Sequence, residues 1–229
     1  MRIPNIRSYS NDQPEELIEL DELDIPRSFY NLSNKKDRDK YIKTVEKLVR
    51  QSIEYKDLIT FLKTKMGMNF CSFFHHVSKD IYGKANFTIE IHHEPFTLYD
   101  IVAVILTNRE MDKEDWEPID MYDVAEEVME MHYKGYIGLI PLSKTVHELV
   151  HSGKLFIPLQ FIDDGFNTFY QTYHTAINSM DGLAGVLEAK VNLSKDFEAN
   201  PMKFMSILQK KYVYVLNSGY DSIPEKIQV

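Results

Sequence analysis

The sequence predicts an α+β protein in which short strands are embedded among helices. Three observations predict it. FTIEIHH at 87–93 alternates and is rich in β-branched residues, as a half-buried strand is. Ile42, Val45, Val49 and Ile53 recur at helical spacing. TLYDIVAVILTNR opens on Thr97 with Asp100, a capping-box-like start, and continues as the apolar run of a buried helix.

Residues 1–34 are polar and acidic, with EELIELDELDIP in the middle, and read as an extended arm. Residues 35–86 form a helical N-terminal region: 35–66 is a helical stretch with Gly67 where a C-cap falls, and the aromatic segment 70–82 is buried. Cys71, between Phe70 and Phe73, reads as a small buried hydrophobe. Pro95 ends the 87–93 strand. After the helix that follows Thr97, DMYDVAEEVMEMHYKG reads as a second helix stopped by Gly135. YIGLIPL at 136–142 is a second short strand. The next helix begins near Ser143 or Thr145 and must be short, because Gly153 follows His151 by two residues. FIPLQFI at 156–162 reads as a further strand or buried segment, and 159–229 as a mainly helical C-terminal region.

Composition sets bounds on function. The chain has 229 residues, 44% hydrophobic and 27% charged, enough for a substantial core. No apolar run approaches the ~18–20 residues of a membrane span, and MRIPNIRSYSND lacks a signal-peptide hydrophobic region. The expectation is a cytoplasmic protein that does not enter a membrane. A single cysteine excludes an internal disulfide. The net charge of −9 weighs against nucleic-acid binding, whose affinity comes largely from neutralising phosphates.

HELVH, residues 147–151, carries the chemistry. It spells H-E-x-x-H, the zinc-protease signature in which two histidines hold zinc and the glutamate activates water. His147 and His151, at i and i+4, share one helix face and can grip one ion. A protease would need a third ligand such as Asp163 or Asp164, and Glu148 facing the metal. Glu148 also has a plainer reading: with Thr145 as N-cap it closes a T-x-x-E capping box. Upstream, His92 and His93 are adjacent on a strand, so their side chains point to opposite faces and can divide labour between metal and substrate.

IEIHHEP followed by GLIPLSKTVHELVHSGK resembles the two halves of an HNH endonuclease, the ββα-metal fold, and its H-x-x-x-H helix is like that of the colicin-type DNases. The resemblance covers 87–158, with a helical insertion at about 97–134. It implies that His92, His147 and His151 bind one divalent metal ion and that His93 is the general base that activates water. Three imidazoles favour zinc, with magnesium, nickel or manganese able to serve. Lys144 and Lys154, with Lys134, flank the motif and could touch phosphates. Such proteins are common in bacteriophage genomes, and the richness in Lys, Asn, Asp, Ile and Tyr suits a phage or a low-GC host.

The chain departs from the family pattern in three places. The family asparagine that orients the base histidine, nine residues before the first helix histidine, is Gly138. Asn86 is a candidate substitute. The paired cysteines of some relatives are Ser143 and Val146, so a second zinc is not expected. The insertion holds ten acidic side chains from Glu110 to Glu130 against Arg109 and Lys113, a field that repels DNA if it lies beside the metal.

Of the remaining histidines, His75 and His76 read as core or surface residues, and His132 and His174 as lacking a metal-spaced partner. The expected function is a metal-dependent endonuclease acting on DNA or other nucleic acid in the host cytoplasm. The alternative is a catalytically degenerate module with a structural metal, serving as a binding or virion-assembly subunit with a phage or host protein partner. The zinc protease is the minor alternative.

Overall fold

The computed structural model describes residues 30–78, 88–113, 118–162, 165–180 and 182–200, with the side chains of 74–78 left out. Most of the acidic arm, Asn86, Asp163, Asp164 and everything after residue 200 lie outside the described residues, as do the side chains of His75 and His76. What is described mixes helices with small antiparallel sheets, as the α+β expectation has it.

Helix α1 (Lys35–Gln51) starts at Asn34, whose side chain accepts from the Lys36 and Asp37 N–H groups. It buries Tyr41, Ile42, Val45 and Val49. The stretch over 35–66 is helical as expected and is divided into two helices. Ser52 is extended (φ −60°, ψ 151°), and its hydroxyl accepts from the Tyr55 N–H to cap α2 (Ile53–Thr64). The turn of the axis takes Ile53 off the stripe set by Ile42, Val45 and Val49, and it is 72% exposed.

Strands β1 (Phe70–Cys71) and β2 (Phe74–Ser78) pair antiparallel, and Cys71 is buried as expected. Strand β3 (Ile89–His93) pairs antiparallel with β4 (Leu139–Ser143), from Ile89 opposite Ser143 to His93 opposite Leu139. The Ser72 N–H donates to the Pro141 carbonyl at 2.9 Å and ties β1 to this second pair.

Between β3 and β4 run α3 (Leu98–Asp112) and α4 (Met121–Tyr133). The Thr97–Asp100 capping box is formed at the start of α3. Leu98 and every residue from Ile101 to Leu106 are buried, with only Tyr99 and Asp100 of the first half partly exposed, and the helix forms the centre of the larger core. Two acidic residues of the insertion are tied to basic ones. Arg38 grips Glu110 at 2.6 and 2.8 Å, and Arg109 meets Glu127 at 2.6 Å, which also accepts from Tyr173 at 2.8 Å. Part of the insertion's negative charge is thereby neutralised within the fold.

Helix α5 (Lys144–His151) follows β4 without a loop. Ser143 is its N-cap residue by backbone, and no side chain caps it. The predicted Thr145–Glu148 capping box is therefore not formed: the helix starts one residue before Thr145, which places that hydroxyl inside the first turn. Glu148 is exposed. Gly153 (φ +67°) ends the helix in the left-handed conformation, with Lys154 N–H to Leu149 O and Gly153 N–H to Val150 O, both 2.9 Å.

FIPLQFI is not a strand but a short 3-10 turn at Leu159–Phe161 behind Pro158, with Ile157 and Ile162 buried. Those two, with Ile140, Leu142, Val146 and Phe166, make a second core beneath β4 and α5. Helices α6 (Gly165–Thr172), α7 (His174–Ser179) and α8 (Leu183–Ala199) complete the described chain. No helix among the described residues is long and apolar enough to cross a membrane.

Candidate metal centre and a buried histidine pair

Strand alternation divides the side chains of β3. Glu90 and His92 share one face, and α5 packs against it through His147 and His151. His92, His147 and His151 each offer one ring nitrogen, and these atoms lie within 4.8 Å of one another, a group that could hold a metal ion. The sequence separations are 55 and 4 residues, and only the packing of α5 on the hairpin brings them together. His92 is buried, His147 half-buried and His151 exposed. The group therefore opens toward solvent on the helix side.

The Nε2 atoms of His147 and His151 are 3.0 Å apart. Two nitrogens on one tetrahedral zinc with bonds of about 2.0–2.1 Å would be about 3.3 Å apart. The rings thus need only a small adjustment to share an ion. The other nitrogen of His147, Nδ1, is 2.6 Å from Glu90 Oε2. A carboxylate on the far side of a ligating imidazole fixes its tautomer and raises its basicity. Burial, then the His92 imidazole, hold His147 below the usual imidazole range, against the upward pull of Glu90.

Glu94 is a second carboxylate beside the group and, unlike half-buried Glu90, is buried. Its Oε2 stands 3.5 Å from His92 Nε2, and its Oε1 is paired with Lys190 of α8. Lys190 Nζ also donates to the Pro95 carbonyl at 2.7 Å. Sequence reading missed Glu90, Glu94 and Lys190. The strand period puts Glu90 on the face of His92 and could have flagged it. Nothing local points to Lys190, which is 96 residues from Glu94 along the chain.

His93 turns the other way, as adjacent residues on a strand must. It is buried, with its ring stacked on Tyr55 of α2 (centroids 6.3 Å, planes 8° apart). Its Nε2 lies 2.9 Å from Nε2 of His132 on α4, and His132 Nδ1 lies 2.7 Å from the Val128 carbonyl. His132, expected to lack a metal-spaced partner, is outside the three-histidine group and has a hydrogen-bond partner in His93. Burial pushes His93 well below the usual imidazole range and His132 down to about 4.

The two faces meet at a cavity of about 350 Å³ whose lining includes His92, His147, His151, His93 and Arg50. Arg50 was not singled out by the sequence. Lys144 and Lys154 are exposed at the two ends of α5, and Lys134 is held by Glu130 at 2.6 Å.

Gly138 has a steric cause. A β-carbon there would stand 2.0 Å from the Glu94 carbonyl oxygen and 2.9 Å from Ile162 Cγ2. The same two backbones are joined by the Glu94 N–H to Gly138 O bond at 3.0 Å. No asparagine fits at that position.

Comparison with curated proteins and with solved structures returned no match. A family model, that of the bacteriophage G278-like virion proteins, matches residues 4–219. That span takes in the hairpin, both inserted helices and the histidine group alike, and so the chain belongs to the bacteriophage G278-like virion protein family.

Proposed function

We propose that this virion protein binds one divalent metal ion, zinc by preference, through His92, His147 and His151, and uses it to staple the β3–β4 hairpin to α5 in a binding or assembly subunit of the particle. The convergence of three imidazole nitrogens within 4.8 Å carries the reading. Glu90 on His147 supports it, because such a partner is what a metal-bound histidine requires. Family membership supports the virion role, and the net charge of −9 favours a protein partner over nucleic acid.

Metal analysis and thermal melting test it. Purified protein should hold close to one equivalent of zinc, and zinc at a hundredfold excess over Kd should stabilise it by about 2.7 kcal/mol. His92→Ala and His147→Ala should abolish both. Absence of bound metal, with no melting shift on adding zinc, magnesium, nickel or manganese, would remove the site.

One observation favours a second reading, hydrolysis of a phosphodiester bond on a scaffold like that of the HNH endonucleases. His93 and Arg50 line the same cavity as the three-histidine group. A bound divalent ion would polarise a phosphate oxygen there. His93 would take a proton from water, and Arg50 would hold the phosphate. Nicking of supercoiled plasmid by the wild type with any of the four metals, lost in His93→Ala, would establish it. Equal inactivity of the two leaves the assembly role alone. The protease reading has less support: Glu148 is exposed, and the third nitrogen beside His147 and His151 comes from His92 upstream.

A further inference from the structure

Gly138 leaves a task undone, since no side chain at that position can orient His93. The inserted helix α4 brings another group to the same imidazole. We propose that His132 is the positioning residue of His93, holding it as the Nε2–H tautomer so that Nδ1 is its bare, basic nitrogen.

The proton positions follow from one carbonyl. Val128 O can only accept, and His132 Nδ1 lies 2.7 Å from it, so that nitrogen carries hydrogen. A neutral imidazole has one N–H, which leaves His132 Nε2 as an acceptor. His93 Nε2, at 2.9 Å, must then be the donor. Neutral His93 consequently has no hydrogen on Nδ1. The reverse arrangement would set a bare His132 Nδ1 against the Val128 carbonyl, lone pair against lone pair, with both groups buried.

Packing holds the rings to this geometry. Tyr55, itself buried, lies parallel to His93 (centroids 6.3 Å apart) and edge-on to His132 (centroids 5.8 Å, planes 88° apart), so one tyrosine borders both rings. His132 is itself anchored in α4 by the helix carbonyl one turn earlier. The arrangement replaces a side chain on the strand by one on a helix 39 residues away from the histidine it serves.

The tautomer assignment is independent of either functional reading; its catalytic consequence rests on the hydrolytic one. The experiment has two arms. In the first, metal-free protein with nitrogen-15-labelled histidines is read by long-range proton–nitrogen correlation. His132 should be the Nδ1–H tautomer, the minor one for a free neutral histidine, and His93 the Nε2–H tautomer. A nitrogen–nitrogen coupling should connect their Nε2 atoms across the hydrogen bond. His132→Gln, whose carbonyl can accept the same hydrogen, should keep His93 in one tautomer, and His132→Leu should release it into a mixture. A His132 protonated at Nε2, or a His93 unchanged in His132→Leu, overturns the proposal.

In the second arm, metal-dependent nicking should fall about 10–100-fold in His132→Leu and recover in His132→Gln. Equal nicking by wild type and His132→Leu refutes the positioning role. No nicking by any form refutes the hydrolytic reading, while the spectra still decide the tautomer.

Discussion

Glu90 and His147 meet at 2.6 Å, Oε2 to Nδ1, across the seam between β3 and α5. That contact holds the Nδ1 side of His147, so the ring presents Nε2 to His151. It also makes Glu90 the most direct handle on the three-histidine group that is not itself one of the three. Glu90→Ala should weaken zinc binding about 10–100-fold while leaving the melting temperature of metal-free protein nearly unchanged. Titration against a chelator of known affinity measures it. Wild-type affinity in the variant would mean that His147 is oriented by something other than Glu90.

Gly138→Asn would restore the residue that HNH endonucleases carry, and it should fail. The new β-carbon would collide with the Glu94 carbonyl, and backbone cannot swing aside as a long side chain can. The expected loss is about 1–3 kcal/mol, the ordinary penalty for overpacking, read as a lower urea midpoint. A variant as stable as wild type would show that the hairpin end yields freely.

His132 should make the metal-free protein acid-sensitive. Its folded-state pKa is depressed to about 4 from an ordinary 6.5, chiefly by burial. Between those values the unfolded chain binds the proton and the folded one does not. Stability is therefore whole above about pH 6.5, falls as the pH drops toward 4, and loses at most about 3 kcal/mol from this group. His93, held low by burial in the same way, adds in the same direction. Urea midpoints measured from pH 7 to 4.5 should decline more steeply for wild type than for His132→Gln. Parallel curves would show that His132 does not stay neutral in the fold.

Glu148→Gln separates the protease from every other reading. Glu148 is exposed and caps nothing, because Ser143 starts α5. The change should move stability by less than about 0.5 kcal/mol and leave zinc binding intact. Casein hydrolysis by the wild type, abolished in this variant, would revive the H-E-x-x-H assignment.

Some of this site was legible from local pattern. The i, i+4 spacing of His147 and His151 on a helix follows from 3.6 residues per turn, and the opposed directions of His92 and His93 from the two-residue period of a strand. The Thr97–Asp100 cap and the apolar run behind it were equally plain, because a cap and its helix are neighbours in the chain. The fine placement of α5 was not. Thr145 and Ser143 are both good cap residues, and the backbone chose Ser143 because β4 runs straight into the helix. The break at Ser52 was hidden as well, since the apolar spacing continues through Ile53 while the axis does not.

Local periodicity in this chain thus settled β3, α3 and α5 and the faces on which the histidines of β3 and α5 stand, for those constraints act over a few residues. The pairing of His93 with His132, of Glu94 with Lys190 and of Gly138 with the Glu94 carbonyl depended on how α4, α8 and the hairpin ends pack. Contacts of that kind join residues 39 to 96 positions apart, and their identity follows from burial and close approach in three dimensions, which no repeat in the chain encodes.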